Sequence, residues 1–444
     1  MTTTENASPG LRRAVTGPLL FLFVLGDVLG AGIYALVGEM AGTAGGLVWL
    51  AFAVALAMAL LTAFSYAELV TKYPRAGGSA VFAERAYGRP WLSFLVGFAM
   101  LAAGVVSAAG LSLAFAGDYL AEFLDVPAVP AAIVFLLLVA ALNARGIKES
   151  LGANVVMTTV ELAGLLLVVV LGALLLGRGE ADLSRITEAP EGTGAAAAVL
   201  GSALIAFYSF VGFETSANLA EEVRDVSRVY PRALFGALAT AGVVYVLVGL
   251  VAPAVVGPEE LAGSSGPLLE VVRAAGGVPP TLFAVIALVA VANGALLTMI
   301  MASRLAFGMA EQGLLPSPLA RLLPGRRTPG VAILVTTAVA IVLAVTGELV
   351  DLASTVVLLL LFVFLSTNVA VLVLRRDTVD HAHFRTPVVI PVLAVVSCLV
   401  LLTQQELRHW LLALGLLGVG LVLHLVTRGS SHRSASAVEP AARP

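Results

Sequence analysis

Cysteine occurs once in the 444-residue chain, at Cys398, so neither an intramolecular disulfide nor a cysteine-clustered metal site can form. Lysine occurs only at Lys72, in Thr-Lys-Tyr, and at Lys148, in Ile-Lys-Glu. A phosphate-cradling loop needs Gly-Lys-Ser/Thr, whose lysine reaches the β- and γ-phosphates. The chain therefore has no such ATPase loop, and any driving force must come from an ion gradient, a counter-substrate or a separate subunit. Charge of either sign is scarce: 12% of residues are charged and 59% are hydrophobic. Soluble proteins carry about 25% charged residues, so this chain cannot cover itself with a polar surface, which excludes a soluble globular enzyme. The net charge of −3 gives no electrostatic footprint for a nucleic acid. No His-Glu-x-x-His motif or intramembrane histidine cluster is present to support a membrane-embedded enzyme, and no repeated selectivity-filter motif to support a channel.

Long apolar stretches are what remain. Twelve are bounded by charged or turn residues: 17–41, 46–70, 91–120, 128–142, 154–177, 196–220, 233–256, 279–303, 330–347, 350–374, 387–404 and 408–427. Their lengths scatter around the ~20 residues that a membrane crossing takes, and the last two lie close together around Gln404-Gln405-Glu406, so counts of eleven and thirteen compete. The connecting segments arbitrate. With the N-terminus inside, 21 of the 25 Lys and Arg fall in inside segments, and only Arg178, Arg185, Arg273 and Arg408 fall outside. Positive charge resists translocation, and a miscounted helix would scramble the alternation. The expected fold class is an all-α membrane protein of 12 transmembrane helices in the plasma (inner) membrane, with both termini cytoplasmic. Residues 1–15 and 428–444 read as disordered polar tails. The start of the chain lacks the pattern of a cleaved signal peptide, and the longest outside loop, 257–278, has room for a short surface helix.

Two spans carry breakers near their middle. The first reads Leu25-Gly26-Asp27-Val28-Leu29-Gly30-Ala31-Gly32-Ile33-Tyr34, and the sixth reads Ala206-Phe207-Tyr208-Ser209-Phe210-Val211-Gly212-Phe213-Glu214. Unwound backbone at membrane depth is tolerated only where it faces protein or a water-filled cavity. There it offers N–H groups that suit a carboxylate and C=O groups that suit a cation. The two sets side by side suit a zwitterion. One plus five is six, so the breaks fall at corresponding places in two five-helix halves, and an odd number of spans makes those halves inverted. Interrupted helices at equivalent positions are a known pointer to a transporter site. Gly26 and Gly30 also spell Gly-xxx-Gly, a helix-packing motif.

These residues resemble the amino acid–polyamine–organocation superfamily, in its cationic-amino-acid-transporter-like and bacterial amino acid permease branch, from about residue 15 to 427. Gly30-Ala31-Gly32-Ile33-Tyr34 is similar to the family's first break. Tyr66-Ala67-Glu68-Leu69 with Tyr73-Pro74-Arg75-Ala76-Gly77-Gly78-Ser79 resembles the end of its second helix. Phe207 to Glu214, running on to Glu221-Glu222-Val223-Arg224, resembles the sixth helix and its exit, and Ala302-Ser303-Arg304 with Gly313-Leu314-Leu315-Pro316 the end of the eighth. The resemblance implies a 5+5 inverted-repeat core with discontinuous helices 1 and 6 and alternating access. The repeats would be 16–177 (helices 1–5) and 196–374 (helices 6–10), with peripheral helices in 387–427. It also implies that Gly30, Ala31, Gly32 and Ile33 hold a substrate carboxylate, that Ser209, Phe210 and Val211 face the ammonium, and that Tyr208 caps the substrate.

Carboxyl groups inside a membrane are costly and mark function. Three stand out: Asp27, Glu161 and Glu214. A carboxyl in low dielectric favours its protonated form, so each is a candidate for taking up a proton on one side and releasing it on the other. Aligned with the family's fifth helix, Glu161 falls where several proton-coupled relatives carry a lysine. The charge is reversed here, so Glu161 either carries the proton or helps bind a cation between helices 1, 5 and 8. Asp27 lies one turn before Gly30 on the same face, and Glu214 just past the second break. Ser107, Ser112, Thr298, Ser303 and Asn368 are candidate cavity-lining residues, and Glu68, Arg75, Glu222 and Arg224 candidate cytoplasmic ion pairs. His381 and His383, beside Asp377 and Asp380, read as a solvated loop rather than a metal site.

The expected function is a secondary active transporter that imports amino acids, driven by a proton or else sodium. It has no cofactor, no metal and no enzymatic activity. Its partners are a small amino acid substrate and the lipid bilayer, with no obligatory protein partner evident. The rival readings are an amino acid/amine exchanger and a polyamine or cationic amino acid carrier, which Asp27 and Glu161 would favour.

Overall fold

The structure, a computed structural model, describes residues 15–30, 32–75, 77–146, 151–190, 192, 194–324, 326 and 328–436. Ala31, residues 1–14 of the expected N-terminal tail and residues 437–444 of the C-terminal one lie outside them.

The chain opens with α1 (Gly17–Val28) and α2 (Gly32–Ala44), then runs through α3 (Val48–Lys72), α4 (Gly78–Tyr87), α5 (Pro90–Phe115) and the single turn α6 (Asp118–Ala121). α7 (Ala128–Arg145) and α8 (Leu151–Arg178) follow, and then α9 (Ala195–Tyr208). After a tight 3-10 segment at Phe213–Glu222 come α10 (Val226–Val255), the short α11 (Pro258–Ala262) and α12 (Pro267–Ala275), and α13 (Pro280–Glu311). The chain closes with α14 (Gly330–Thr346), α15 (Leu349–Val373), α16 (Val389–Thr403) and α17 (Leu407–Ser436). α17 runs past 427, where the apolar stretch ends. Several starts follow from proline at the first helical turn, in α1, α5, α12 and α13, where its missing N–H has no intrahelical partner to lose.

Among the described residues nine helices are long and apolar enough to cross a membrane, and three shorter apolar ones coincide with α1, α14 and α16. The fold is all-helical, apart from an isolated bridge between Val15 and Val223. Burial sorts the helices into layers. The apolar window of α5 is 94% buried, and that of α17 only 17%. α7, α8, α14, α16 and α17 turn Leu138, Val156, Leu334, Val389 and Leu411 outward, an apolar belt too extensive for water and suited to lipid. α1, α3, α5, α9, α10, α13 and α15 form the inner layer, and the two interrupted spans lie inside it. The expected surface helix of the 257–278 loop is present as α11 and α12. Leu261 of α11 is fully buried, its carbonyl pressed against Gly38 of α2.

Candidate functional site between two interrupted helices

The first span stops at Val28 and restarts at Gly32, with Leu29 and Gly30 in neither helix. The sixth stops at Tyr208. Its chain then turns through Ser209, Phe210 and Val211, whose N–H groups donate to Ala206, Phe207 and Tyr208 carbonyls at 3.0, 3.0 and 3.1 Å, before Gly212 swings to φ +124°.

The two interruptions lie against each other. A β-carbon on Gly212 would sit 2.7 Å from the Asp27 carbonyl oxygen, and one on Gly32 would sit 3.1 Å from both Ser209 Cα and Tyr208 Cδ1. The Thr215 hydroxyl donates to the Asp27 carboxylate, and the Gly212 N–H donates to Glu214 Oε2 at 2.9 Å. Tyr245 of α10 puts its hydroxyl 2.6 Å from the Val28 carbonyl and 3.1 Å from that of Ser209, one from each break. At the exit of the second break, Val15 N–H donates to Glu222 O and Arg224 N–H to Val15 O, both at 3.0 Å.

A cavity of about 420 Å³ occupies the space beside the breaks, within the range of small-molecule sites. Gly30, Gly32, Tyr208, Ser209 and Val211 line it, and so do Asp27 and Glu214. Ile33 and Phe210 do not: both are fully buried, and the Phe210 ring packs on Tyr245 at 5.1 Å. The Ser209 hydroxyl is buried with no hydrogen-bond partner, an unusual state for such a group. Tyr208 and Ser107 join their hydroxyls at 2.9 Å across one side of the cavity. The lining also includes Gly77, Asn218 and Arg304, all three exposed.

Of the Gly-xxx-Gly pair, Gly26 is the packing residue, since a β-carbon there would overlap the Thr158 hydroxyl of α8. Both Gly26 and Gly30 line the cavity. Glu161 lies off the cavity, fully buried on α8, where the first, fifth and eighth apolar spans meet. Asn293 of α13 donates to its Oε1 at 3.1 Å, the Tyr34 hydroxyl of α2 donates to its main-chain carbonyl at 2.8 Å, and Oε2 has no partner. Ser107 and Thr298 line the cavity. Ser112, Ser303 and Asn368 instead bond within or between helices: Ser112 to Ala109 O at 2.7 Å, Ser303 to Ile300 O at 3.1 Å, and Asn368 to Thr62 at 3.3 Å.

Away from the cavity, Glu68 pairs with Arg375 at 3.6 Å and accepts the Thr386 N–H at 2.8 Å. His381 Nε2 lies 3.2 Å from the Thr71 carbonyl, and no cluster of metal-ligating side chains occurs among the described residues. Tyr245, Thr215 and Asn293 escaped the sequence reading. Tyr245 carried a usable signal, because a tyrosine hydroxyl deep in an apolar span must find an acceptor.

The profile of the family described as amino acid permease matches residues 19–406. An uncharacterized transporter of Mycobacterium tuberculosis is 32% identical, over 92% of this chain and 90% of its own length. The branched-chain amino acid permease BcaP of Bacillus subtilis is 27% identical, over 95% and 94%. The vacuolar cationic amino acid transporter 2 of Arabidopsis thaliana is 32% identical, over 84% of this chain and 61% of its own.

Proposed function

We propose, for a chain that belongs to the amino acid permease family, that it imports amino acids with protons as a secondary transporter working by alternating access. It is a multi-pass membrane protein of a transporter family and not an enzyme. One observation carries the reading: two helices interrupted at mid-length lie against each other and together line a cavity, with the N-terminus of α2 beside the turn after α9. Gly32, which lines the cavity, opens α2, where N–H groups have no intrahelical acceptor and suit a carboxylate. The carbonyls of the cavity-lining Ser209 and Val211 suit an ammonium. Ala31 completes the first segment in the sequence.

Twelve crossings in two inverted repeats, with cytoplasmic termini, accord with the charge distribution. In that orientation Gly77, Asn218 and Arg304 mark the inner mouth, and the cavity is open inward. Glu161 is the proposed proton carrier. Its carboxyl touches α13 through Asn293, and its main chain touches α2 through Tyr34, so its protonation bears on the helix that holds the substrate. Asp27 and Glu214 hold the breaks in shape through Thr215 and Gly212.

Uptake of an amino acid panel into proteoliposomes, with proton and sodium gradients imposed separately, tests the reading. Accumulation driven by an inward proton gradient is expected. Accumulation only with sodium refutes the coupling, and no accumulation or exchange refutes transport.

A further inference from the structure

We propose that the cavity selects α-amino acids with uncharged, apolar side chains, such as leucine, isoleucine, valine and methionine, and rejects cationic ones. The inference rests on the preceding reading, in which the two breaks hold the α-carboxylate and α-ammonium. The substrate side chain then projects onto the opposite wall, built by α5, α13 and α15.

That wall is apolar. Met100, Leu297, Met301, Val356 and Leu360 supply thioethers and methyl groups, with Ala103 between them. Two hydroxyls interrupt it, and neither is aimed at a ligand. Ser107 is engaged with Tyr208 at 2.9 Å, and Thr298 donates back to Gly294 O of its own helix at 2.8 Å. Among the described residues the wall carries no carboxylate. Its one charged member is the Arg304 guanidinium at the mouth, which repels a second cation.

The two carboxyls that do reach the cavity belong to the breaks. Asp27 accepts from the Thr215 hydroxyl, and Glu214 folds back onto the Gly212 N–H. Both lie on the side that receives the backbone of the substrate. An arginine or lysine side chain would reach the wall with its charge unpaired, and an unpaired buried ion is strongly disfavoured. Each added methylene of an aliphatic side chain finds apolar partners instead.

The test is uptake of radiolabelled leucine into proteoliposomes containing the full chain, with unlabelled valine, methionine, alanine, arginine and aspartate as competitors. Valine and methionine should compete at concentrations comparable to leucine. Arginine should need at least ~100-fold more, given the cost of an unpaired buried charge. Thr298→Asp, which places a carboxylate in the wall, should weaken leucine competition and improve that of arginine by about 10-fold or more. Thr298→Val, which makes the wall wholly apolar there, should shift the ratio of arginine to leucine competition further against arginine. Arginine matching leucine in the unaltered protein overturns the selectivity and leaves transport standing. A shift of that ratio toward arginine in Thr298→Val also overturns it. Absence of uptake and exchange for every amino acid tried overturns the transport reading beneath it.

Discussion

Replacing Gly212 by alanine should disable transport by prising the two breaks apart. Gly212 sits at φ +124° and ψ −32°, a backbone region that L side chains rarely adopt. Holding a non-glycine residue in so strained a conformation costs about 1–3 kcal/mol. Space is the second difficulty. The new β-carbon would lie 2.7 Å from Asp27 O, 3.0 Å from Asp27 C and 3.1 Å from Asp27 Cγ. The two nearest are backbone atoms, so the backbone of one break must move, adding about 1–3 kcal/mol of overpacking. Gly313→Ala separates the two causes, because Gly313 has φ +70° with nothing near its β-position. It should show strain alone. Gly308→Ala, inside α13 with open space around it, should be neutral or stabilising by up to about 1 kcal/mol. Melting of the three purified variants and leucine uptake in proteoliposomes are the assays. Gly212→Ala should be the least stable and should lose uptake by about 100-fold or more, since a 1 Å misplacement alone is worth that much at a positioned site. Gly212→Ala with uptake and melting equal to those of Gly313→Ala would refute the contact between the breaks.

The remaining predictions concern single groups. Glu161→Gln should abolish uptake driven by a proton gradient while leaving leucine exchange measurable; unchanged proton-driven uptake would remove Glu161 from the coupling. Tyr245→Phe deletes the hydroxyl that serves the Val28 and Ser209 carbonyls, at a cost of about 1–3 kcal/mol for polar groups left unsatisfied. Leucine affinity should drop several-fold at constant expression, and unaltered affinity would show that the bridge is idle. On the strap after α15, the Tyr73 hydroxyl, 2.6 Å away, and the Arg85 guanidinium hold the Asp377 carboxyl below its ordinary pKa of 3.8. A depressed folded-state value means stabilisation that is present above 3.8 and disappears as pH falls through the lower folded value. Asp377→Asn should therefore lower the melting temperature at neutral pH and match the unaltered protein at strongly acidic pH. A gap that persists undiminished there would contradict this assignment.

Much of the arrangement was legible in the sequence because membrane burial writes a coarse and regular code. Apolar runs bounded by charged or turn residues located each apolar span, although α10 begins well before its run and α13 and α17 end well after theirs, and glycine clusters next to acidic residues located both interruptions. What the sequence hid depends on rotation about helix axes. In a span apolar all round, no periodicity says which face turns inward. Ser107 and Ser112 therefore looked alike, although one reaches Tyr208 and the other bonds back to Ala109. For the same reason Ile33 and Phe210, inside the two glycine-bearing motifs, could not be told from their cavity-lining neighbours. Glu68 offers a second case: its partner, Arg375, is more than three hundred positions away, and only the folded strap brings it near.

The lone cysteine permits the most direct test of the central claim. Cys398 is buried, and Cys398→Ser removes what little background labelling it would give. In that setting Ser209→Cys, a near-isosteric change at the buried, unpartnered hydroxyl of the second break, places a thiol on the cavity wall. The rate of its modification by a small water-soluble thiol reagent is then measured with and without leucine. If both breaks grip the substrate backbone, saturating leucine slows the labelling by about 10-fold or more, as occupancy of a small enclosed pocket requires. Equal rates with and without leucine, in protein that still transports it, would contradict the account.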